Sequence, residues 1–419
     1  MHLESKNKIS NAITLFKKGQ FKESKLLFSD FLNSFPEHVS GLFYNGYIDL
    51  LENRLRDAEH HFQKALGVIK CQNCITKILQ SIIYKRSIES LLTYTYYRLN
   101  EFVKAIEYSK SINRKYCKKE LAYWGNNKPY SIFNSKTKSV IDFEITDPLP
   151  LIKVSINGAS PVYFFIDTGA GELIIDTEYA KALCLTEYRS DRGLFGGGKM
   201  GSFANSYINS IQLGDILVNN VPVIVMDTRR FSKELYNDKY KVDGILGTSI
   251  LSQFLTTLDY SNNKIVFEII NHDTNSSFEK TIHSENYTRV PFWMAADHFV
   301  LIKGKVNNSD EMLLFLDTGL AGLSFTCPGS TVKRCKFVLK KNEIGYGLGG
   351  GGKMKAVPFD IDTISLGNIQ ESKLQGVYGP FPAQIENSFG FKIDGLISHQ
   401  FFRKHQVIFD FSKMVLYIK

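Results

Sequence analysis

The 419-residue chain has little cysteine, six residues, and little tryptophan, two residues. Six cysteines in so long a chain do not build the disulfide framework of a small secreted domain. Apolar residues make up 43% of the sequence, but no apolar run approaches the roughly eighteen residues a membrane-spanning helix needs. The opening MHLESKNKIS has no apolar core of the kind a secretory signal carries. These absences together favour a reducing, cytoplasmic setting. Proline is almost missing from the first 120 residues, where Pro36 stands alone. H-E-x-x-H is missing, so no metal catalysis is expected, and so is the G-x-S-x-G elbow of a serine hydrolase. Charged residues at 22% describe an ordinary globular chain, and the length suggests two to three domains.

Charge is unevenly spread. Of the net +9, residues 1–140 carry +11, which leaves the remainder near −2. The excess peaks at Arg114, Lys115, Lys118 and Lys119. Such a cluster is either a solvated face or a dock for an acidic peptide, a membrane surface or nucleic acid. No aromatic-basic recognition motif accompanies it, so nucleic acid is not an expected partner.

The first 120 residues show apolar positions at three- and four-residue spacing, the period of helices. KKGQFKESKLLFSDFL and LENRLRDAEHHFQKAL align with Gly19 on Asn53, Phe21 on Leu55, Ser24 on Ala58 and Phe28 on Phe62, each 34 residues apart. Gly46, Ala58, Phe62 and Ala65 then occupy small and aromatic packing positions, and Pro36 closes the first unit. A third unit includes RLNEFVKAIEYSKSI, where Ala105 follows Ala58 by 47 residues, the period being broken by an insertion near Cys71 to Tyr84. These residues resemble the tetratricopeptide family. The resemblance implies stacked helix pairs whose small residues let the helices approach, with a groove for an extended peptide or a partner protein. The alternative is a helical cap on the next domain. CQNC, Cys71 to Cys74, has no second ligand pair nearby and reads as bystander thiols.

GNNKPYSIFNSKTKS, Gly125 to Ser139, is polar and punctuated by Gly, Asn and Pro, which marks a linker over about 121–138. Beyond it the pattern becomes that of short strands: LIKVSING, VYFFID, ELIID and VPVIVMD. A second polar stretch, about 271–290, divides this all-β region into 139–270 and 291–419.

The two parts repeat each other. FFIDTGAG, GLFGGGKM, SIQLGD, VDGILG and LDYSNNKIVFEI recur in order as LFLDTGLAG, GLGGGGKM, TISLGN, IDGLIS and IFDFSKMVLYI. Asp167 lies 150 residues before Asp317, Lys199 154 before Lys353, Asp243 151 before Asp394, and Asp259 151 before Asp410. Five landmarks at near-constant offset mean a duplicated domain. In each copy an apolar strand runs straight into an aspartate. A buried carboxylate is costly unless it is paired or hydrogen-bonded. The duplication supplies the pairing: two carboxyls brought together share one proton, the charged one activating water and the neutral one donating to a carbonyl.

Phe165-Ile166-Asp167-Thr168-Gly169 with Ile245-Leu246-Gly247, and Phe315-Leu316-Asp317-Thr318-Gly319 with Leu396-Ile397-Ser398, resemble the aspartic peptidases of the pepsin and retropepsin group. The resemblance covers about 139–419 and implies a bilobed all-β acid-protease fold following the helical repeats, the two lobes fused in one chain so that dimerisation is not needed for catalysis. It implies Asp167 and Asp317 as catalytic, supported by Thr168, Gly169, Thr318 and Gly319. It places Gly196, Gly197, Gly198 and Lys199, with Gly350, Gly351, Gly352 and Lys353, on substrate-covering flaps. These runs are not phosphate loops, because Met200 and Met354 stand where that motif needs a hydroxyl. No cofactor is implied, since water is the nucleophile, and the partner is a peptide or protein substrate.

Three departures stand out. Leu320 follows the second Asp-Thr-Gly, where the family usually has a small residue or a hydroxyl that bonds the carboxyl, Ala170 follows the first, as in retropepsins, and Ser398 replaces an expected glycine. Fewer hydrogen bonds to the charged form raise a carboxyl pKa, so a mildly acidic to neutral working range is expected. Leu320 and Ser398 also keep open a non-catalytic reading, a pseudo-peptidase that clamps peptides while the repeats scaffold partners. The basic N-terminal region adds an expectation of an acidic recognition segment in the substrate, read through Lys115, Lys118 and Lys119.

Overall fold

The computed structural model describes residues 2–71, 75–109, 118–133 and 136–419, with the backbone alone for 2–6, 75–82, 118–120 and 272–273. Cys74 of the C-x-x-C pair and Arg114 and Lys115 of the basic cluster lie outside the described residues, and Lys118 and Lys119 are described in backbone only. Contacts divide the chain into two compact units. One is Met1–Asn126 with the short segments Trp293–Asp297 and Asn387–Lys392, and the other is the rest. Among the described residues no helix is long and apolar enough to cross a membrane.

The first unit is helical: α1 (His2–Lys17), α2 (Phe21–Ser34), α3 (Val39–Leu51), α4 (Leu55–Cys71), α5 (Ile75–Arg98), α6 (Phe102–Ser109) and α7 (Lys118–Asn126). Successive helices pack on one another. The apolar spacing explains the buried faces, with Phe21, Ser24, Phe28 and Phe31 buried on α2 and Ala58, Phe62, Ala65 and Leu66 on α4. Three turns share one geometry. Gly19, Asn53 and Asn100 are left-handed, at φ 71°, 58° and 58°. The next residue's amide closes each turn on the preceding helix: Gln20 to Leu15 at 3.0 Å, Arg54 to Asp49 at 2.8 Å, Glu101 to Tyr96 at 2.9 Å. That is a helix C-terminal cap, which favours glycine or asparagine at its left-handed position. Within the same unit the ring of Phe391 lies 5.6 Å from that of Phe16 and 4.9 Å from that of Phe21, and Trp293 lies 5.4 Å from Phe21.

The second unit is β-rich. Its first half contains β1 (Ser131–Ile132), β2 (Lys138–Asp142), β3 (Leu151–Ile156), β4 (Val162–Ile166), β5 (Leu173–Asp176), β6 (Arg189–Phe195), β7 (Lys199–Leu213), β8 (Ile216–Met226), β9 (Val242–Leu246), β10 (Leu255–Asp259) and β11 (Lys264–Glu268). Its second half contains β12 (Thr288–Ala295), β13 (Phe299–Val306), β14 (Met312–Asp317), β15 (Phe325–Thr326), β16 (Gly345–Gly349), β17 (Gly352–Leu366), β18 (Ile369–Tyr378), β19 (Gly395–Ser398), β20 (Gln406–Asp410) and β21 (Val415–Ile418). Short helices α8 (Thr177–Ala182), α9 (Arg230–Tyr236), α10 (Thr248–Leu251), α11 (His272–Ser284) and α12 (Gly329–Cys335) connect them.

In the first half the pairings close a barrel in the order β3–β4–β9–β5–β8–β7 and back to β3. In the second half β13–β14–β19–β15–β18–β17 closes on β13 in the same order. The parallel pairs match too: β4 with β9 and β5 with β8, then β14 with β19 and β15 with β18. Parallel pairing explains why β4 and β14 are continuous apolar runs rather than alternating ones, since such strands are covered on both faces. A third, antiparallel arrangement, β2–β11–β10–β20–β21–β12, takes three strands from each half. At its centre Thr257 faces Ile408 and Asp259 faces Gln406. Asp259 is buried there. Burial alone would raise its pKa, but hydrogen bonds from Asn262, Ser261 and Gln406 hold the carboxyl below its ordinary range. Asp410 takes the same role in the second half, accepting from Ser412 and Lys413.

Two stretches read from sequence as linkers carry structure. In 121–138 the helix α7 continues to Asn126, because Trp124 buries its ring against Phe102 at 4.9 Å, and β1 pairs with β8. In 271–290 lies α11. Asn271 and Thr274 cap it reciprocally at 2.9 Å, and Phe278 and Ile282, four residues apart, bury one face. Polar composition hid both helices, since among the described side chains Trp124 alone is buried on α7 and Phe278 and Ile282 on α11.

The α3–α4 contact is close enough to test. A Cβ at Gly46 would stand 2.9 Å from His61 Cβ and 3.0 Å from the Phe62 ring. Gly46→Ala is expected to cost about 1–3 kcal/mol in urea unfolding, the usual range for overpacking. An unchanged midpoint would contradict that packing.

Candidate active site

Both Asp-Thr-Gly segments sit where a barrel strand ends beside its parallel neighbour. The amide of Asp167, just past β4, donates to Leu246 on β9 at 3.0 Å, and Asp317 ends β14 opposite Ser398 on β19. The threonines tie the two segments together. Thr168 Oγ1 donates to the Leu316 carbonyl at 2.8 Å, and Thr318 Oγ1 donates to the Ile166 carbonyl at 3.2 Å. Each hydroxyl also accepts the other threonine's amide, at 2.9 and 3.0 Å. All four groups are buried, so this exchange satisfies donors and acceptors that water does not reach.

The glycines are required by the acid opposite. A Cβ on Gly169 would lie 2.6 Å from the Asp317 carboxyl, and one on Gly319 would lie 2.1 Å from Asp167 Cγ. Neither glycine has a left-handed φ. Space for the facing carboxyl, rather than freedom to turn, is therefore what excludes a side chain. Each glycine amide donates to the aspartate of its own segment, Gly169 at 2.7 Å and Gly319 at 3.0 Å.

The two carboxyls hydrogen-bond each other, and their environments differ. Burial raises both pKa values. Asp317 goes well above the ordinary carboxylate range, because the Asp167 charge adds to its burial. Asp167 rises less. Its charged form is stabilised by the hydrogen bond from Asp317, by the Gly169 amide and by His298 nearby. Two carboxyls so placed share one proton, and the larger rise at Asp317 favours it as the protonated member.

Behind the aspartates the halves diverge. A Cβ at Gly247 would strike the Glu172 carbonyl at 2.1 Å. Ser398 occupies the matching position in the second half, and its hydroxyl donates to the Leu323 carbonyl, 151 residues from Glu172, while accepting the Gln400 amide at 3.1 Å. The same carbonyl that forbids a side chain in one half hydrogen-bonds one in the other. Next in sequence, Thr248 donates to the Thr168 carbonyl at 3.0 Å. Its counterpart His399 is fully buried and bonds through Nε2 to the Pro148 carbonyl at 2.8 Å. A carbonyl only accepts, so Nε2 carries the hydrogen, and burial lowers this histidine to about 3, leaving it neutral. Ala170 and Leu320, the residues after each Asp-Thr-Gly, are both half-buried.

The glycine runs form the tips of two hairpins. Gly196, Gly197 and Gly198 make a 3-10 turn between β6 and β7, with Gly197 and Gly198 left-handed, and Lys199 begins β7. Gly350 and Gly351 join β16 to β17, which begins with Gly352 and Lys353. The tips meet at distances only glycine allows. A Cβ on Gly349 would lie 3.1 Å from the Gly196 carbonyl, and one on Gly351 would lie 2.4 Å from Lys199 Cβ. Lys199 Nζ donates to the Lys353 carbonyl, and the Gly197 amide donates to the Pro380 carbonyl at 2.8 Å. Phe195 and Leu348, beside the tips, pack into one apolar cluster with Phe165, Phe231, Ala170 and Ala321. The hairpins therefore share an apolar cluster with Ala170 and Ala321, which lie close in sequence to the two aspartates.

Several residues here gave no signal in the sequence. Arg230 Nη2 donates to the Gly350 carbonyl, and Gln384 Nε2 donates to the Gly198 carbonyl at 3.4 Å. Neither belongs to a recognisable motif. Asp176 had a local signal, the acid before Thr-Glu that caps a helix, and it accepts the Glu178 and Tyr179 amides. Its other oxygen holds Thr228 and Arg229 at 3.0 and 3.1 Å, which fixes the start of α9. Arg229 in turn bonds Asp243 at 2.9 Å, as Arg334 bonds Asp394 at 2.8 Å, giving those two landmark acids a structural role.

Two outcomes follow. Gly319→Ala should destabilise the chain by about 3 kcal/mol in denaturant unfolding, since an overpacked methyl would meet a buried carboxyl. Wild-type stability would contradict the facing arrangement. Because the folded chain holds the Asp317 proton more tightly than the unfolded chain, its contribution is present at low pH and lost as pH rises from the unfolded value of about 4 through the raised folded value. Asp317→Asn removes that loss. Its melting temperature should exceed the wild type's near about pH 8 and match it near about pH 3. A difference that does not vary with pH would contradict the assignment.

Residues 152–250 match a family model described as aspartyl protease. The match includes Asp167 and ends before Asp317. No curated protein matches the chain. Among solved structures, a retropepsin-like aspartic protease from Rickettsia conorii aligns at 18% identity over 33% of this chain and 95% of its own, with a TM-score of 0.23. Conglutin gamma, a basic 7S globulin from lupine seeds, aligns at 10% identity over 68% of this chain and 95% of its own, with a TM-score of 0.39. The chain is a helical region followed by a β-rich region with closed barrels, and the family match within the first barrel supports a protease kind of function.

Proposed function

We propose that the chain is an aspartic endopeptidase whose two barrels act as fused lobes, with Asp167 and Asp317 as the catalytic pair. The observation that carries this reading is the reciprocal fit of the two Asp-Thr-Gly segments. Each threonine bonds across to the other segment, and each glycine makes room for the other segment's carboxyl. Holding two half-buried acids face to face costs stability, and structure alone does not require it. The matching barrel order and the central β10–β20 pairing support the reading of two fused lobes.

In the proposed reaction a water lies between the carboxyls. Ionised Asp167 takes a proton from the water as its oxygen attacks the peptide carbonyl carbon, and Asp317 gives its proton to the carbonyl oxygen. The tetrahedral intermediate collapses as Asp167 passes its proton to the departing amine. The carbonyl oxygen returns its proton to Asp317, so no covalent enzyme intermediate forms. The glycine hairpins act as flaps that exclude bulk water over the bond. Phe165, Phe195, Phe231 and Leu348 would receive apolar side chains beside it.

The helical unit is proposed as a tetratricopeptide-like array that recruits the substrate or a partner. The three equivalent asparagine or glycine turns support this, as does the burial of Ser24, Ala58 and Ala105 at matching places.

Asp167→Asn and Asp317→Asn should each reduce cleavage of a peptide library by at least about 10³-fold, the scale of losing an essential acid or base. Wild-type kcat/KM should follow a bell-shaped pH profile with a mildly acidic to neutral maximum, because Asp317 holds its proton above the ordinary carboxylate range. A maximum near about pH 2–3 would contradict the raised pair. Peptide binding without cleavage would favour a non-catalytic clamp.

A further inference from the structure

The two flap tips are held from opposite halves by different chemistry. Arg230, in the segment that leads from β8 to β9, bonds the Gly350 carbonyl on the second half's flap. Gln384, in the segment that leads from β18 to β19, bonds the Gly198 carbonyl on the first half's flap. The two segments correspond in strand order, so each hairpin tip is held at a glycine carbonyl by a side chain from the other half. One donor is a guanidinium and the other a neutral amide.

Arg230 also differs from its neighbour. Arg229 is fully committed, with Asp243 at 2.9 Å and Asp176 at 3.2 Å. Arg230 makes no ion pair among the described residues; its guanidinium bonds one peptide carbonyl and lies over the Phe231 ring, 5.3 Å from its centroid. Lys199, at the adjoining tip, likewise bonds only a carbonyl, and Lys353 and Lys355 have no ion pair there either. The tips from Phe195 to Gly201 and from Leu348 to Lys355 hold three lysines and no acid. A carboxylate is a stronger acceptor than a carbonyl for a guanidinium, which it can meet with two parallel hydrogen bonds. Phe231, next to Arg230, lines the apolar cluster beside Ala170 and Ala321, so the guanidinium lies at the edge of the surface that would receive the residues around the scissile bond.

We propose that Arg230 is a specificity-determining residue that selects an acidic side chain on one side of the scissile bond, within about two positions of an apolar residue, and that this carboxylate takes the guanidinium over from the Gly350 carbonyl. Of the two side chains that hold a tip carbonyl from the other half, only Arg230 is a guanidinium, so the selection through it is one-sided. It rests on the peptidase reading for the place of the peptide, but the recognition itself needs no bond to be cut.

The test uses the 419-residue chain and synthetic peptides with Phe or Leu fixed at the centre and Glu or Gln at each flanking position in turn. Binding is measured with Asp317→Asn, which blocks turnover, and cleavage with the wild type. At one flanking position Glu should bind roughly tenfold tighter than Gln, the scale of a charge-assisted over a neutral hydrogen bond. Arg230→Gln, which installs the donor that the other half already uses, should bring that ratio to about one. Gln384→Arg should create a Glu preference on the opposite side. In the unaltered Arg230 background the preference should also shrink as salt is raised, a readout that does not depend on a variant folding. Equal binding of Glu and Gln peptides, or a preference that survives Arg230→Gln, would overturn the proposal. Glu-selective binding that depends on Arg230, without cleavage by the wild type, would support it while contradicting the peptidase reading.

Discussion

The structure around the site depends on two carboxyls facing each other across the junction of the two barrels. Everything near them follows from that constraint. Glycine is needed at positions 169 and 319 because the opposite acid fills the space a Cβ would take. Threonine is needed at 168 and 318 because two buried amides and two buried carbonyls must be satisfied in the same place. The strands that deliver the acids are apolar throughout because each lies beside a parallel neighbour inside a closed barrel. A buried acid on such a strand is tolerable when its charge is shared, and the second Asp-Thr-Gly segment makes sharing possible.

Duplication did not leave the halves identical, and the differences fall close to the acids. Gly247 and Ser398 meet the same backbone carbonyl position in opposite ways, one by leaving space and the other by donating a hydrogen bond. Thr248 braces its own half, whereas His399 reaches the Pro148 carbonyl of the other. One hairpin tip spans three glycines and the other two. A single chain permits this, because each half is free to change without changing its partner. The carboxyls themselves sit in unequal surroundings. Each accepts its own glycine's amide, but His298 favours charge on Asp167, while that charge raises Asp317 further.

Much of this was legible in the sequence because duplication converts weak local patterns into a strong one. The repeated Asp-Thr-Gly, the glycine runs and the later aspartates marked the strand ends, the hairpin tips and the β9 and β19 entrances. The helical period of the N-terminal region was legible for the same reason, since Gly19 and Asn53 recur at the turns. What the sequence concealed was mostly long-range. Nothing local distinguishes Arg230 from the adjoining Arg229, although one bonds a hairpin tip and the other is locked between two carboxylates. Trp293 and Phe391 fall within 291–419, assigned from sequence to the second β part, yet both belong to the helical unit's aromatic cluster. Helix α11 was hidden because its inward face needs only Phe278 and Ile282, too few to show through a polar stretch.

The central claim is that the two aspartates hold one proton between them, on Asp317, through the mildly acidic range. The most direct measurement is a pH titration of the aspartate carboxyl carbons by NMR in the isotope-labelled chain, with Asp167→Asn and Asp317→Asn used to assign the pair. The account predicts one carboxyl that keeps its proton well above the ordinary range of about 4, assigned to Asp317. It also predicts that Asp167 titrates differently once Asp317 is replaced, as coupled groups must. Two aspartates titrating independently near that ordinary value would contradict it.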